Sequence, residues 1–329
     1  MSAVPASFRP RGAGTGVGSL PHADPAAAVA AAVGACPDLP FWPTRPAAGP
    51  DEEMVRLWAL GLPGVGEVDG APAWVGRDAE PGRPGLAPAA SATLELFLRA
   101  LRSWPAGWLK VQATGPVTLA LALRTGGREA ITVPAARGPL GLGFAARIRS
   151  LVTRVREALP AWKVLLVLDE PGLGHELVAA RPNLALELWR AVGSTGAEVT
   201  GLHCCATPPW GLLLDLDPQL VSFDGRSDGD AATDDPAFRR LVEAGAGVAW
   251  GLVASDGAPG ADQEGADAVA DRLLDLVRWT AGDYLPEVLA RSLVTPACGL
   301  AGLDEAGAVR RLEVAAAAGR RAWSLAGLP

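Results

Sequence analysis

Val164-Leu-Leu-Val-Leu-Asp-Glu-Pro171 is the stretch that most directly indicates the fold. Five consecutive apolar residues end here in two carboxylates and a proline. A continuous rather than alternating apolar run is typical of a parallel strand that is buried on both faces. We therefore expect the two acidic side chains to lie at the carboxyl end of a core strand.

Further apolar runs of this kind recur along the chain, separated by segments with helical signals. They are Thr15–Ser19, Leu39–Pro43, Leu109–Ala113, Glu198–His203, Leu220–Phe223, Val248–Ala254 and Leu293–Pro296. Asp24-Pro25 and Asp235-Pro236 each place a capping residue before a proline at the first helical position, and Asp304 opens the last helix. Alternating strands and helices predict an α/β fold, a single (β/α)8 TIM barrel. A doubly wound open sheet is the alternative.

We expect a single domain over residues 1–329, because no linker divides the chain into two cores. Gly61–Pro88 is rich in glycine and proline and is predicted to be a long loop or an insertion over the C-terminal face of the barrel, and Arg124–Gly143 is a second such stretch. Loops of this length are often functional lids, and a solvated connector is the alternative.

The composition excludes several classes of function. The chain has 29 basic and 36 acidic residues, a net charge of −7, which argues against nucleic-acid binding and against a polybasic membrane surface. We identify no signal peptide, and the alanine-rich stretch 26–34 is too short to cross a bilayer. Four cysteines, two of them adjacent, do not form a disulfide framework in a chain this long. These features predict a soluble protein in the reduced cytoplasm.

His203, Cys205 and Cys298 are the residues that most strongly indicate chemistry, because the chain has only three histidines and four cysteines. An imidazole and two thiolates suit Zn²⁺ and leave one tetrahedral position open, as catalytic zinc sites do. His203 and Cys205 are two residues apart, so on a strand they face the same way, and Cys204 faces the opposite way and is predicted to pack. Each residue alone is more simply explained as core, since free cysteine often behaves as a small hydrophobe.

Other polar residues follow the ends of the predicted strands and are candidates for substrate binding. Asp169 and Glu170 are costly to bury without partners, which predicts a clamp for a substrate ammonium, support for the metal site, or an ion pair with an arginine. Ser19, after Gly18, can offer its hydroxyl and backbone N–H to a carboxylate, or it can form only a turn. Thr118 lies where the third strand turns into a helix, and it is predicted to line the site, with a plain turn as the alternative.

These residues, in this order, resemble the catalytic C-terminal barrel of cobalamin-independent methionine synthase, in a superfamily with uroporphyrinogen decarboxylase. The resemblance spans residues 16–300. The order in which the matching segments follow one another is more specific than any single segment. The matching pieces are Val17-Gly-Ser-Leu-Pro, Thr114-Gly-Pro-Val-Thr, Leu168-Asp-Glu-Pro, His203-Cys-Cys, Leu220-Val-Ser-Phe-Asp and Thr295-Pro-Ala-Cys-Gly-Leu.

The resemblance implies zinc-dependent methyl transfer to the thiol of homocysteine, which gives methionine. It implies that His203, Cys205 and Cys298 are zinc ligands, with Asp224 as a fourth ligand that leaves when the substrate sulfur arrives. Ser19 and Asp169 match the positions that hold the carboxylate and the amine of homocysteine. The methyl donor implied is a methylated folate or a methyl-corrinoid protein.

The sequence departs from the family at Asp224, where the family usually has a glutamate, and in two segments. The acid-bearing His-Gly-Glu segment after the second strand is replaced by Gly49-Pro-Asp-Glu-Glu53, and the His-Ser-Pro segment after the seventh strand is replaced by Ala254-Ser-Asp256. Three alternatives therefore stay open. They are zinc-dependent alkyl transfer to another thiol such as coenzyme M, a decarboxylase-like barrel acting on a tetrapyrrole, and a module that binds homocysteine or a corrinoid protein without turnover.

Overall fold

The computed structural model describes residues 2–76, 85–257 and 264–328. Within these ranges, helices and strands alternate along most of the chain. The helices are α1 Pro25–Ala35, α2 Met54–Ala59, α3 Pro88–Leu101, α4 Pro116–Ala122, α5 Pro134–Ala158, α6 Glu176–Ala180, α7 Pro182–Val192, α8 Trp210–Leu216, α9 Gly229–Asp234, α10 Pro236–Glu243, α11 Ala266–Ala281, α12 Leu285–Ala290 and α13 Glu305–Leu325. The strands are β1 Val65–Val68, β2 Ala71–Trp74, β3 Trp108–Thr114, β4 Arg124–Thr125, β5 Arg128–Glu129, β6 Lys163–Asp169, β7 Val199–Cys204, β8 Leu220–Phe223, β9 Gly247–Val253 and β10 Ser292–Pro296.

The predicted helix starts are confirmed. The Asp24 side chain accepts a hydrogen bond from the Ala27 N–H at the start of α1, and Asp235 does the same for the Ala237 N–H of α10. Asp304 caps α13 in the same manner. Each cap satisfies an N–H group that has no partner within the helix, which stabilises the folded chain by about 1 kcal/mol.

The core of the molecule is a curled sheet of six parallel strands in the order β10-β9-β8-β7-β6-β3. Alternate residues of β6 enter two separate clusters of buried side chains. Leu165 and Val167 belong to an inner cluster, whereas Leu166 and Leu168 belong to the larger cluster formed with the helices. Both faces of the strand are therefore buried, which explains why its sequence is continuously apolar.

The first two predicted strands form no regular ladder, and each makes isolated parallel bridges instead. Gly14 is bridged to Val294 of β10, Ser19 to Thr44, and Phe41 to Lys110 of β3. Prolines at positions 40 and 43 lack the N–H that a ladder requires, so the second segment cannot pair regularly. The six remaining predicted runs correspond to β3, β6, β7, β8, β9 and β10.

The prediction of two long loops is wrong in part. The region 61–88 contains β1 and β2, with residues 77–84 outside the described part of the chain, and β4 and β5 extend the same small sheet in the order β1-β2-β4-β5. The segment predicted as the second loop is already helical from Pro134 onward, despite its glycines. The glycines there permit close packing, since a Cβ at Gly143 would lie 2.3 Å from the Pro63 Cδ. Among the described helices, none is both long and apolar enough to traverse a lipid bilayer.

Candidate metal centre

Three strand-end side chains converge at the carboxyl edge of the parallel sheet. His203 is the second-last residue of β7, Cys205 directly follows that strand, and Cys298 follows β10. One potential ligand atom from each residue lies within 4.8 Å of the other two, and the described residues contain no other such group of three or more. Cys205 and Cys298 are 93 positions apart in sequence, so only the curvature of the sheet brings them together.

Of the two ring nitrogens of His203, Nδ1 has a hydrogen-bond partner and Nε2 has none. The side chain is buried, and its Nδ1 lies 2.9 Å from the Ser222 Oγ of the neighbouring strand. Its Nε2 is inaccessible to solvent and has no hydrogen-bond partner. A buried ring nitrogen without a partner is costly, and coordination to a metal ion is a common way to satisfy it.

The two thiols interact directly. The Cys205 S–H donates a hydrogen bond to Cys298, and this bond, followed by the nearby imidazole of His203, lowers the pKa of the Cys298 thiol. The same contact raises the pKa of Cys205. The thiolate form that metal ligation requires is therefore favoured at Cys298, and ligation by Cys205 would displace its proton.

Cys204 faces away from the site, as the strand periodicity predicts. It is fully buried in the cluster between the sheet and the helices, and its sulfur donates to the Ala206 carbonyl at 3.4 Å. Burial raises the pKa of its thiol to about 12. Adjacent cysteines thus have opposite roles, one in the core and one at the site.

Asp224 follows β8 as predicted, yet it is not a member of the convergent group in the described part of the chain. One carboxylate oxygen accepts hydrogen bonds from the backbone N–H groups of Arg226 and Ser227, at 3.0 and 3.1 Å, and the other accepts from the Ser227 hydroxyl at 2.9 Å. The carboxylate thereby stabilises its own loop. Ligation by Asp224 remains a prediction that requires these bonds to rearrange.

Asp169 lies beside the convergent group, because β6 and β7 pair it directly with His203. Its Oδ1 is buried without a hydrogen-bond partner. Loss of solvent raises the pKa of this carboxyl to about 6, against a smaller lowering by His203. No arginine forms an ion pair with Asp169 or Glu170 in the residues that the structure covers, so the ion-pair alternative is not supported.

Glu170 and Thr118, two of the predicted substrate-binding residues, bind each other. Glu170 is fully buried, and its carboxylate accepts hydrogen bonds from the Val117 and Thr118 backbone N–H groups and from the Thr118 hydroxyl, at 2.9, 2.7 and 2.6 Å. Burial raises the pKa of Glu170 to about 7 against these hydrogen bonds. The pair fixes α4 against the end of β6, and its predicted contact with substrate remains untested.

Ser19 lies against the loop that carries Cys298. A Cβ placed on Gly299 would be only 2.0 Å from the Ser19 Oγ, and the Ser19 carbonyl accepts from the Leu300 N–H at 2.9 Å. The preceding residue, Gly18, also lacks room for a side chain, because a Cβ there would lie 2.7 Å from the Gln112 Cδ. The structure thus brings Ser19 next to the convergent group.

Two residues at the site, Ser222 and Lys110, are not among the candidates predicted from the sequence. Ser222 contacts His203, and Lys110 donates from its Nζ to the Val17 carbonyl at 2.7 Å and to Gln112 at 3.1 Å inside the sheet. Burial lowers the pKa of Lys110 to about 8. Two signals in the sequence could have identified these residues. Polar residues stand at alternate positions within otherwise apolar runs, and lysine is rare, since Lys110 is one of only two in the chain.

Glu52 lies in Gly49–Glu53, the segment that replaces the acid-bearing motif of the methionine synthase family that the sequence resembles. Its side chain is 2 % exposed and forms an ion pair of 2.5 Å with the equally buried Arg45. Arg45 in turn donates to the carbonyl of Ala23, which ties the loops after the first two segments together. Glu52 is therefore occupied by a structural contact.

Two cavities differ in their position relative to the sheet. A cavity of about 10 Å³ lies among the inner side chains of the sheet and is bounded in part by Lys110, His203, Ser222 and Thr295. A cavity of about 700 Å³ is lined in part by Gly245 and Arg291, which precede β9 and β10, and it contains none of the predicted site residues. Ligand sites in parallel α/β folds occur at the carboxyl ends of strands, so we assign the candidate site to the end that carries His203, Cys205 and Cys298.

Comparison with solved structures shows the fold of this chain. A B12-independent methionine synthase from Shewanella sp. W3-18-1, in complex with selenomethionine, superposes with a TM-score of 0.51 at 16% identity, over 70% of this chain and 66% of that one. A methyltransferase from Methanosarcina mazei superposes with a TM-score of 0.51 at 13% identity, over 99% of this chain and 95% of that one. The chain thus spans slightly less than two thirds of the synthase. No protein-family profile and no curated protein sequence matches it.

Proposed function

We propose that this protein is a zinc-dependent thiol S-methyltransferase whose acceptor is homocysteine and whose product is methionine. The observation that carries the proposal is the convergence of His203, Cys205 and Cys298 within 4.8 Å. The shared fold with a methionine synthase and a methyltransferase supports it. The donor we propose is a methylated folate or a methyl-corrinoid protein.

The side chains fit a zinc ion by their chemistry. One buried imidazole nitrogen has no hydrogen-bond partner, and the Cys205 S–H lowers the pKa of Cys298 toward the thiolate form that a metal ion binds. Sulfur and nitrogen donors favour zinc over magnesium or calcium, which prefer oxygen. His203, Cys205 and Cys298 would hold the ion and leave one position for a substrate thiol.

We also infer that the six-stranded sheet is part of a closed (β/α)8 barrel. Parallel bridges connect β10 to the segment at Gly14, that segment to Thr44, and the second segment to β3 through Phe41. The two segments would therefore fill the two strand positions between β10 and β3, which are the edge strands of the sheet. Closure would place every strand end around one mouth, which is where barrel enzymes have their active sites.

The chain's own residues would bind the amino acid part of the substrate. The Asp169 carboxylate, with one oxygen unpartnered, suits an ammonium group, and the Ser19 hydroxyl suits a carboxylate. Both lie beside the convergent group, so a substrate held by them would direct its thiol toward it. A bound zinc would supply the Lewis acidity that keeps this thiol deprotonated at neutral pH. Asp224 would act as a fourth ligand only after releasing its loop hydrogen bonds.

Zinc quantitation followed by X-ray absorption tests the proposal. We expect about one zinc per chain, as for other three-ligand catalytic sites, and an additional sulfur scatterer when homocysteine is added. Protein that binds no zinc, or a spectrum unchanged by homocysteine, would contradict it. Thiol consumption with homocysteine and with coenzyme M, each with a folate and a corrinoid donor, identifies the substrates. Binding without turnover for every pair would favour a non-catalytic module.

A further inference from the structure

We propose that Ser222 is the positioning residue for His203: it holds the imidazole so that Nε2 faces the two thiols. This inference rests on the proposed zinc-dependent function. It assigns a role to a residue that does not itself belong to the ligand group.

The strand pairing brings the two residues together. Ser222 of β8 is the register partner of His203 of β7, and the two side chains are 5% and 3% exposed. The hydroxyl lies 2.9 Å from Nδ1, whereas Nε2 is buried without a partner. With both residues excluded from water, the hydrogen bond of this hydroxyl to Nδ1 can fix the orientation of the ring.

The hydrogen bond also selects the tautomer. A nitrogen that binds a metal uses its lone pair, so the ring proton must be on the other nitrogen. With a metal bound, Nδ1–H would therefore donate to the Ser222 Oγ, and Nε2 would be the ligand. Without this acceptor, the ring could rotate or place its proton on Nε2, and either change would weaken metal binding.

Asp169 is the other residue positioned to orient the ring, since it is the register partner of His203 on the opposite side. Its Oδ1 has no hydrogen-bond partner, and the ring nitrogen contact is made by Ser222 instead. A neutral hydroxyl orients the ligand without adding a negative charge beside two thiolates. The arrangement leaves Asp169 available for the substrate ammonium.

Metal affinity of serine variants tests the inference. We expect Ser222→Ala to weaken zinc binding by about 10- to 100-fold, the usual cost of losing a group that orients a ligand. Ser222→Thr keeps a hydroxyl on the same Cβ and should retain most of the affinity. Ser292→Ala is a matched control, because Ser292 is also a buried strand serine but bonds to the Trp250 indole and the Val288 carbonyl. Its zinc affinity should equal that of the wild type.

A second measurement does not depend on affinity. The chain has only three histidines, His22, His175 and His203, so ¹⁵N-histidine NMR can resolve each ring. In zinc-loaded wild type we expect the proton of His203 on Nδ1, and in Ser222→Ala we expect that signal to shift or exchange rapidly. Thermal unfolding of the metal-free variants separates loss of affinity from loss of fold.

The outcomes distinguish the two proposals. If the wild type binds no zinc, the proposed function fails and this inference fails with it. If the wild type binds zinc and Ser222→Ala binds it equally tightly with an unchanged His203 signal, only the inference fails. Equal losses in Ser222→Ala and Ser292→Ala would also overturn it, because they would reflect general destabilisation.

Discussion

The Thr118 hydroxyl donates to the Glu170 carboxylate at 2.6 Å, and this contact joins the start of α4 to the end of β6. Two backbone N–H groups of the same helix donate to the same carboxylate. Three donors at a helix N-terminus stabilise an anion, whereas complete burial destabilises it. Burial has the larger effect, since the pKa of Glu170 is raised.

The pH dependence of stability tests this balance. The pKa of Glu170 rises from its ordinary value of 4.5 to about 7 in the folded protein, so the folded state binds the proton more tightly than the unfolded chain. Wild type should therefore lose stability relative to Glu170→Gln as the pH rises from about 4.5 to about 7, by about 2–3 kcal/mol. Denaturant unfolding of both proteins across this range measures the difference. A difference that is flat with pH would contradict the raised pKa.

Removal of individual cysteines distinguishes ligands from core residues. Cys205→Ser and Cys298→Ser should lose zinc, because a hydroxyl replaces a thiolate ligand, and His203→Ala should lose it for lack of the imidazole. Cys204→Ser is the matched control: the same substitution one position away, in the core, should lower stability but leave zinc content unchanged. Metal analysis after dialysis measures the content. Full occupancy in the Cys298 variant would refute the ligand assignment.

Asp224→Asn tests whether the carboxylate ligates the resting metal. We expect a loss of zinc affinity much smaller than that in Cys298→Ser, within about tenfold, because the carboxylate is engaged by Arg226 and Ser227. Competition with a chelator of known affinity measures both variants. An equal loss in the two would make Asp224 a full ligand.

Gly299→Ala tests the position of Ser19. An added Cβ would lie 2.0 Å from the Ser19 Oγ and would displace it, so homocysteine should bind about tenfold more weakly, as expected for one lost hydrogen bond of ~1.4 kcal/mol. Gly302→Ala is the control, since a Cβ there meets nothing within 4 Å. Calorimetric titration with homocysteine measures the affinity, and zinc content should be unchanged in both. Similar affinities for the two variants would argue against Ser19 as a substrate contact.

The sequence was sufficient to predict six core strands, the helix caps and the opposite orientations of Cys204 and Cys205. Each of these depends on local physics: the apolar pattern of a strand, the free N–H groups at a helix start, and the alternation of side chains. Prediction from the sequence failed where tertiary packing outweighed the local composition. Glycine and proline predicted a loop at 134–143, but packing against other segments made it helical.

Only the tertiary structure decided which polar groups meet. The order of residues along the chain placed His203, Cys205 and Cys298 at strand ends, but the curvature of the sheet sets their separation. Likewise, strand register gave His203 the hydroxyl of Ser222 as a partner, and the fold engaged Glu170 with Thr118 and Asp224 with its own loop. A sequence specifies local conformation through short-range sterics and hydrophobic periodicity. Contacts between distant residues depend on how the strands align, and no local pattern encodes that alignment.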